Sequence, residues 1–216
     1  MGKRMKSYLI FTGLGYRIIL FAVVPILLTL FGFLLSAVFD FPGYFLAVYL
    51  LPAIEISMDT FVFGGIASKE MVHLEYLKTS TSGSGLMKNA LQGGIIRMLI
   101  SNAVILFINY LIYHGRTGDI WNAKRLFTLL WFFVLIYVVT IILIVIARFF
   151  VSEHVNYTLG FVSFLLEMFA IRSFKNLYVS FVILIMIAVT ISVFSVKLVE
   201  KRIKESYYDK TAKDGI

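Results

Sequence analysis

The sequence contains no cysteine. No disulfide, thiolate zinc site or iron–sulfur cluster can therefore be built from its own side chains. It has only three histidines, His73, His114 and His154, scattered over different connections, and no H-E-x-x-H pair. It also lacks a G-x-x-x-x-G-K-[ST] phosphate loop and a G-x-S-x-G nucleophile turn. Charge is scarce too. Asp, Glu, Lys and Arg make up 15% of the chain, where a soluble domain carries about 25%. These absences exclude a soluble globular enzyme and a disordered chain. No catalytic, cofactor-binding or metal-binding residue is expected, and the chain is not expected to be an enzyme.

What is present is apolar. Sixty per cent of the 216 residues are hydrophobic and the mean hydropathy is +0.93. A membrane-spanning helix needs about 20 residues, so the length holds six spans and little else. The predicted spans are 16–39, 44–67, 94–113, 125–151, 157–171 and 177–196. Residues 197–216 form a charged tail, and 1–216 is a single transmembrane domain. Lys3, Arg4 and Lys6 precede an apolar stretch, Ile18–Phe39, that is longer than a signal-peptide core, so it reads as a retained first span. A lone apolar segment must satisfy its own backbone hydrogen bonds in lipid, which makes these segments helices. The ten-residue alternation of a β-barrel strand is not seen. The class is an all-α membrane protein.

The net charge of +8 gives the direction. With the N-terminus inside, only Arg116, Lys124, Arg125, Arg172 and Lys175 fall outside, and the other fifteen basic residues face the cytoplasm. Lys and Arg in short loops are held to that side. Both termini are thus expected on the cytoplasmic side of the cell membrane. The positive balance reads as basic loops against anionic lipid, not as nucleic-acid binding.

Polar residues inside apolar spans carry the functional candidates. Glu55 and Asp59 lie four apart on one face of the second span. A mid-depth carboxylate costs about 2.5–3.5 kcal/mol on insertion scales and faces a bundle interior or water. These acids either line a substrate route or are paired and hold helices together. Pro52, one turn before Glu55, is expected to kink the helix. Asn102 and Asn109 share a face of the third span, where hydrogen bonds between helices compete with substrate contact as the reason for them. Glu167 is the last route candidate, with Arg172 five residues on as its expected partner. Arg97 and Arg148 read as side chains snorkelling to head groups.

The longest internal cytoplasmic feature joins the second and third spans. Residues 68–78 are amphipathic, 79–85 (Thr79-Ser80-Thr81-Ser82-Gly83-Ser84-Gly85) read as a flexible turn, and a helix restarts at Leu86. A plain connector needs no apolar residues, yet Leu74, Leu77 and Leu86 lie among charges. The segment is either a docking surface for a cytoplasmic partner or a hairpin lying on the inner leaflet.

Six spans, a basic lead-in at Lys3–Arg17 and this loop resemble the permease subunits of ABC-2-type ABC exporters. Glu75-Tyr76-Leu77-Lys78-Thr79-Ser80, followed by Lys88-Asn89-Ala90-Leu91 and Arg97, is similar to a segment of small ABC-2-like membrane proteins of Gram-positive bacteria. The resemblance implies an elbow helix for the lead-in. It implies a coupling helix within residues 68–93, with Leu74, Glu75, Tyr76, Leu77, Lys78 and Ser80 meeting a separate ATPase subunit. The turn Ser152–Asn156 would make a smaller second contact. A second permease copy or a paralogue would pair with this chain, with membrane lipids around them. ATP and Mg would be held by the partner, and a peptide, lipid or hydrophobic drug would be exported. Two other readings fit the composition: a substrate-capture component of an energy-coupling-factor importer, and a membrane assembly or immunity protein.

Overall fold

The computed structural model describes residues 2–67, 80–118, 120–149, 153–173 and 176–213. Among these the secondary structure is helical, without a strand. Helix α1 (Lys3–Phe11) is followed by α2 (Leu14–Ile18), a π-helical turn (Ile19–Val23) and α3 (Val24–Val38). Then come α4 (Gly43–Ala67), α5 (Thr81–Thr117), α6 (Ala123–Phe149), α7 (Glu153–Ser173) and α8 (Leu177–Lys213).

Five of these stretches are long and apolar enough to cross a membrane: Leu14–Val38, Gly43–Phe63, Ser82–Arg116, Ala123–Ala147 and Leu177–Leu198. The chain is a multi-pass membrane protein. Helix α7, the predicted 157–171 span, is 21 residues long and reaches about 31 Å at 1.5 Å per residue. Gly160, Ser163 and Glu167 interrupt its apolar character, and it is not one of the five.

Local chemistry explains the boundaries. Pro25 has no N–H to donate back along the chain, and the π-helical turn sits immediately before its helix, where such a gap is absorbed. Asp40 takes a left-handed φ of 51°, which ends the apolar run of α3. Arg17 turns back to donate from Nε to the Thr12 carbonyl at 3.0 Å, and from Nη2 to the Leu9 carbonyl. It thereby satisfies the exposed C-terminal carbonyls of α1 and fixes the break between α1 and α2. Asn122 and Asn176 cap α6 and α8, their side-chain oxygens accepting from Lys124 N–H at 3.0 Å and Tyr178 N–H at 3.1 Å.

Two expected boundaries are corrected. The third span was expected over 94–113 behind a flexible 79–85 turn. Instead the Ser80 hydroxyl accepts from Gly83 N–H at 3.0 Å and starts α5 at Thr81. Ser, Thr and Gly favour turns in isolation, but here one serine caps and the rest form the first helical turns. The helix then runs 37 residues to Gly118, whose φ of 73° closes it. Likewise the Ser152–Asn156 turn is corrected, since α7 is helical from Glu153. The charged tail continues α8 as one helix to Lys213.

Helix α6 is the hub. It packs against α4, α5, α7 and α8, and 61% of its membrane window is buried against 17% for Leu14–Val38. Trp131 on α6 donates to Ser180 Oγ on α8 at 2.8 Å, and Tyr137 bonds Ser192, also on α8. The α2–α3 rod instead exposes Phe21, Ile26, Leu30, Phe31 and Phe33, as a lipid-facing surface does. Helix α1 packs on α5. Gly93 makes that approach possible, because a Cβ there would lie 2.8 Å from Tyr8 Cβ. Tyr8, Phe63, Met87, Ala90 and Leu91 form a small second core at this end.

Candidate functional site

Helices α4 and α5 bring one acid and one base together inside the bundle. Glu55 is 3% exposed and Arg97 is 6% exposed. The guanidinium meets the carboxylate as a fork. Nη1 donates to Oε1 at 2.7 Å, and Nη2 donates to Oε2. This two-pronged geometry is what arginine offers and lysine does not. Arg97 therefore does not snorkel to head groups, which corrects its expected place. The longer α5 explains why: the residue lies sixteen positions past Thr81, not at the start of a span.

The pair borders a cavity with room for water-sized occupants of about 20 Å³. Such a volume accommodates about one water molecule. Asp59, one turn beyond Glu55, lines it with Tyr8 from α1, Gly94 and Ile95 from α5, Ile141 and Ile144 from α6 and Ser195 from α8. The Arg97 guanidinium stands 6.0 Å from the Tyr8 ring centroid, within cation–π range. Burial raises the Tyr8 phenol above its ordinary range, and the charge of Arg97 opposes that rise. Five helices thus meet around one acid–base pair with a second acid beside it.

The remaining route candidates do not join this cluster. Asn102 is buried further along α5, with its side-chain oxygen unpartnered. Asn109 donates to the Ile105 carbonyl of its own helix at 2.9 Å. Its amide lies against Gly32 of α3, where a Cβ would come within 2.8 Å of Asn109 Cγ. Neither asparagine makes a hydrogen bond to another helix among the described residues. Glu167 is fully buried on α7, and neither carboxylate oxygen has a hydrogen-bond partner among the described residues. Arg172 is exposed, so the expected Glu167–Arg172 pair does not form. The spacing of five explains this, since it turns the two side chains to different faces of α7. Phe164, one turn before Glu167, packs on Tyr49 at 5.0 Å between ring centroids. Gly160 faces Ala53. Glu167 thus lies along the first half of α4, away from Glu55.

Among the coupling candidates, Leu74, Glu75, Tyr76, Leu77 and Lys78 lie outside the described residues, and Ser80 is the cap of α5. No protein family matches the chain, and no curated protein or solved structure matches it. Among the described residues, no three His, Asp or Glu side chains gather as a metal site. A second cavity, about 360 Å³, opens at the other end of the bundle between Tyr44, Tyr110, His114, Lys124 and Arg125. Sequence reasoning missed the partner of Glu55 and the contribution of Tyr8. The signal for the first was Ser80, three residues before Gly83 and ahead of an unbroken helical run.

Proposed function

We propose that this chain is the membrane-spanning permease subunit of an ATP-driven exporter, working with a separate ABC-type ATPase. One observation supports the reading above the others. Helix α5 is a single 37-residue rod whose capped end abuts the 68–80 segment and whose seventeenth residue is Arg97, held by Glu55. A displacement applied to the cytoplasmic segment is carried along this rod to the acid–base pair between α4 and α5. A forked pair tolerates little shift, so the interior responds to the partner. In this reading α7 completes a sixth span, both termini face the cytoplasm, and α1 is the elbow helix. A second permease copy or a paralogue completes the route for a peptide, lipid or hydrophobic drug. ATP and Mg sit on the partner.

The test is a mild-detergent purification of the tagged chain, with co-purified proteins identified and ATP hydrolysis assayed. A stoichiometric P-loop ATPase is expected. The paired charge reversal E75K/K78E is then expected to leave insertion intact and to uncouple hydrolysis from transport. A chain that purifies alone, or reversals that leave coupling unchanged, would overturn the assignment.

A further inference from the structure

Helix α7 carries its polar residues inward. Among the described side chains its buried positions are Leu159, Ser163 and Glu167, spaced four apart on one face. Phe161, Leu165, Met168 and Phe169 are exposed on the other side. Gly160 adds a small residue to the inward face, and a Cβ there would lie 3.5 Å from Ala53 Cβ of α4. Phe164 packs on Tyr49 of the same helix. The seam between α7 and α4 thus brings small and polar residues together, and Glu167 lies on it two turns beyond Gly160.

The carboxyl is not compensated there. Glu167 is wholly buried, and neither oxygen has a hydrogen-bond partner among the described residues. The hydroxyl one turn earlier, Ser163, donates to the Gly160 carbonyl at 2.7 Å. Among the described titratable and charged groups of α4 and α6, Tyr49 lies within electrostatic reach of Glu167. The others face elsewhere. Glu55 is held by Arg97, and Asp59 lines the cavity beside that pair. Tyr137 bonds Ser192 of α8, and Tyr44, Lys124 and Arg125 line the second cavity. A carboxylate without donors is not stable in such a place, whereas the neutral acid is. Leucine would fill the position without that penalty. An ionisable residue buried between membrane helices marks an ion path or a proton relay. Both oxygens are shut off from solvent, so the closed seam admits nothing larger than a proton at them.

We propose that Glu167 is a proton-binding site, loaded while α7 lies closed on α4 and emptied when this seam opens to water. On opening, the carboxyl O–H bond breaks, the proton passes to water and the carboxylate is hydrated. On closing, the carboxylate takes a proton from water before it is buried again. Each opening and closing of the seam thus moves one proton off and onto one side chain. The site goes beyond the transport reading and does not depend on it.

The experiment is infrared difference spectroscopy of the full chain in nanodiscs. At neutral pH the unmodified chain is expected to show the carbonyl band of a neutral carboxylic acid. The band is expected to vanish in E167Q and in E167L and to persist in E55Q. No such band in the unmodified chain, or a band that survives both Glu167 variants, would overturn the site. Transfer to D2O reads proton access, and the band is expected to shift as the seam opens. A cross-link tests that route. The chain has no cysteine, and the 3.5 Å approach of Gly160 to Ala53 matches the Cβ separation of a disulfide. Oxidised A53C/G160C is expected to keep the band and to slow its shift in D2O at least about tenfold, with the rate restored on reduction. Failure of the two cysteines to cross-link would refute the closed seam. Equal rates in the oxidised and reduced forms, or a band that never shifts, would overturn the binding role and leave Glu167 a sealed structural acid.

Discussion

Breaking the Glu55–Arg97 pair from one side should cost far more than removing it from both. Both side chains are almost wholly buried, at 3% and 6% exposure, and two hydrogen bonds join them. Removing one partner of such a pair leaves an uncompensated buried charge and costs about 3–5 kcal/mol. For a chain of this size each kcal/mol corresponds to about 2–4 °C. A single neutralisation is therefore expected to lower the melting temperature by roughly 6–20 °C. The two singles should differ. In E55Q, Arg97 still has Asp59 on the same cavity. In R97Q, the buried Glu55 carboxylate loses both hydrogen bonds that its oxygens accept. R97Q is thus expected to be the worse. The double variant E55L/R97L removes both charges at similar volume and is expected within about 1 kcal/mol of the unmodified chain, or above it. The assay is the folded fraction by size-exclusion chromatography after a heating series in one detergent, read as a double-mutant cycle. Singles that melt within about 2 °C of the unmodified chain, or effects that simply add in the double, would refute the closed buried pair.

Two more predictions address the other acid and the membrane crossing. Glu167 has no hydrogen-bond partner among the described residues and is fully buried, so E167L removes a desolvated polar group. Stability of E167L is expected to equal or exceed that of the unmodified chain, and a loss above about 1 kcal/mol would show that the carboxyl is bonded in the folded protein. The chain has no cysteine, so single-cysteine variants report sidedness cleanly: S82C is expected to be reached by an impermeant thiol reagent only from inside, W121C and S173C only from outside. An S173C labelled only from inside would mean that α7 does not cross.

The membrane class was legible because lipid imposes one requirement, a long apolar helix, and sequence shows length and hydropathy directly. Four of the six expected spans coincide with membrane-length helices to within about four residues at each end. The third did not, and one residue accounts for it. Ser80 was read as part of a loop because Ser, Thr and Gly score as loop formers, while a cap is defined by geometry. With α5 starting at Thr81, Arg97 lies sixteen residues into the helix and is buried in the bundle. The pairing of Glu55 was then out of reach, although Glu55 itself stood out by its cost in lipid. Helix rotation was hidden for a different reason. Spans that are apolar all round carry no periodic stripe, so which face of α5 meets α3, and which face of α7 meets α4, is set by packing at Gly32 and Gly160.

The position of the pair gives it a meaning that its stability does not. Two well-packed apolar side chains would hold α4 to α5 at least as well as a buried ion pair does. A pair that stabilises little still fixes register, because a fork and a carboxylate meet in one geometry only. Here the register fixed is that of α5, the helix that also receives α1 at Gly93. A shift of one helical turn along α5, about 5.4 Å, would carry Arg97 out of reach of Glu55. Asp59 lies one turn away on α4, lining the same cavity. Two carboxylates at one-turn spacing thus offer one arginine two stations. If α5 ratchets against α4 in a transport cycle, D59N should slow turnover, because it removes the second station and spares the first. D59N with unimpaired transport would return Asp59 to a lining residue and leave the pair a fixed clamp.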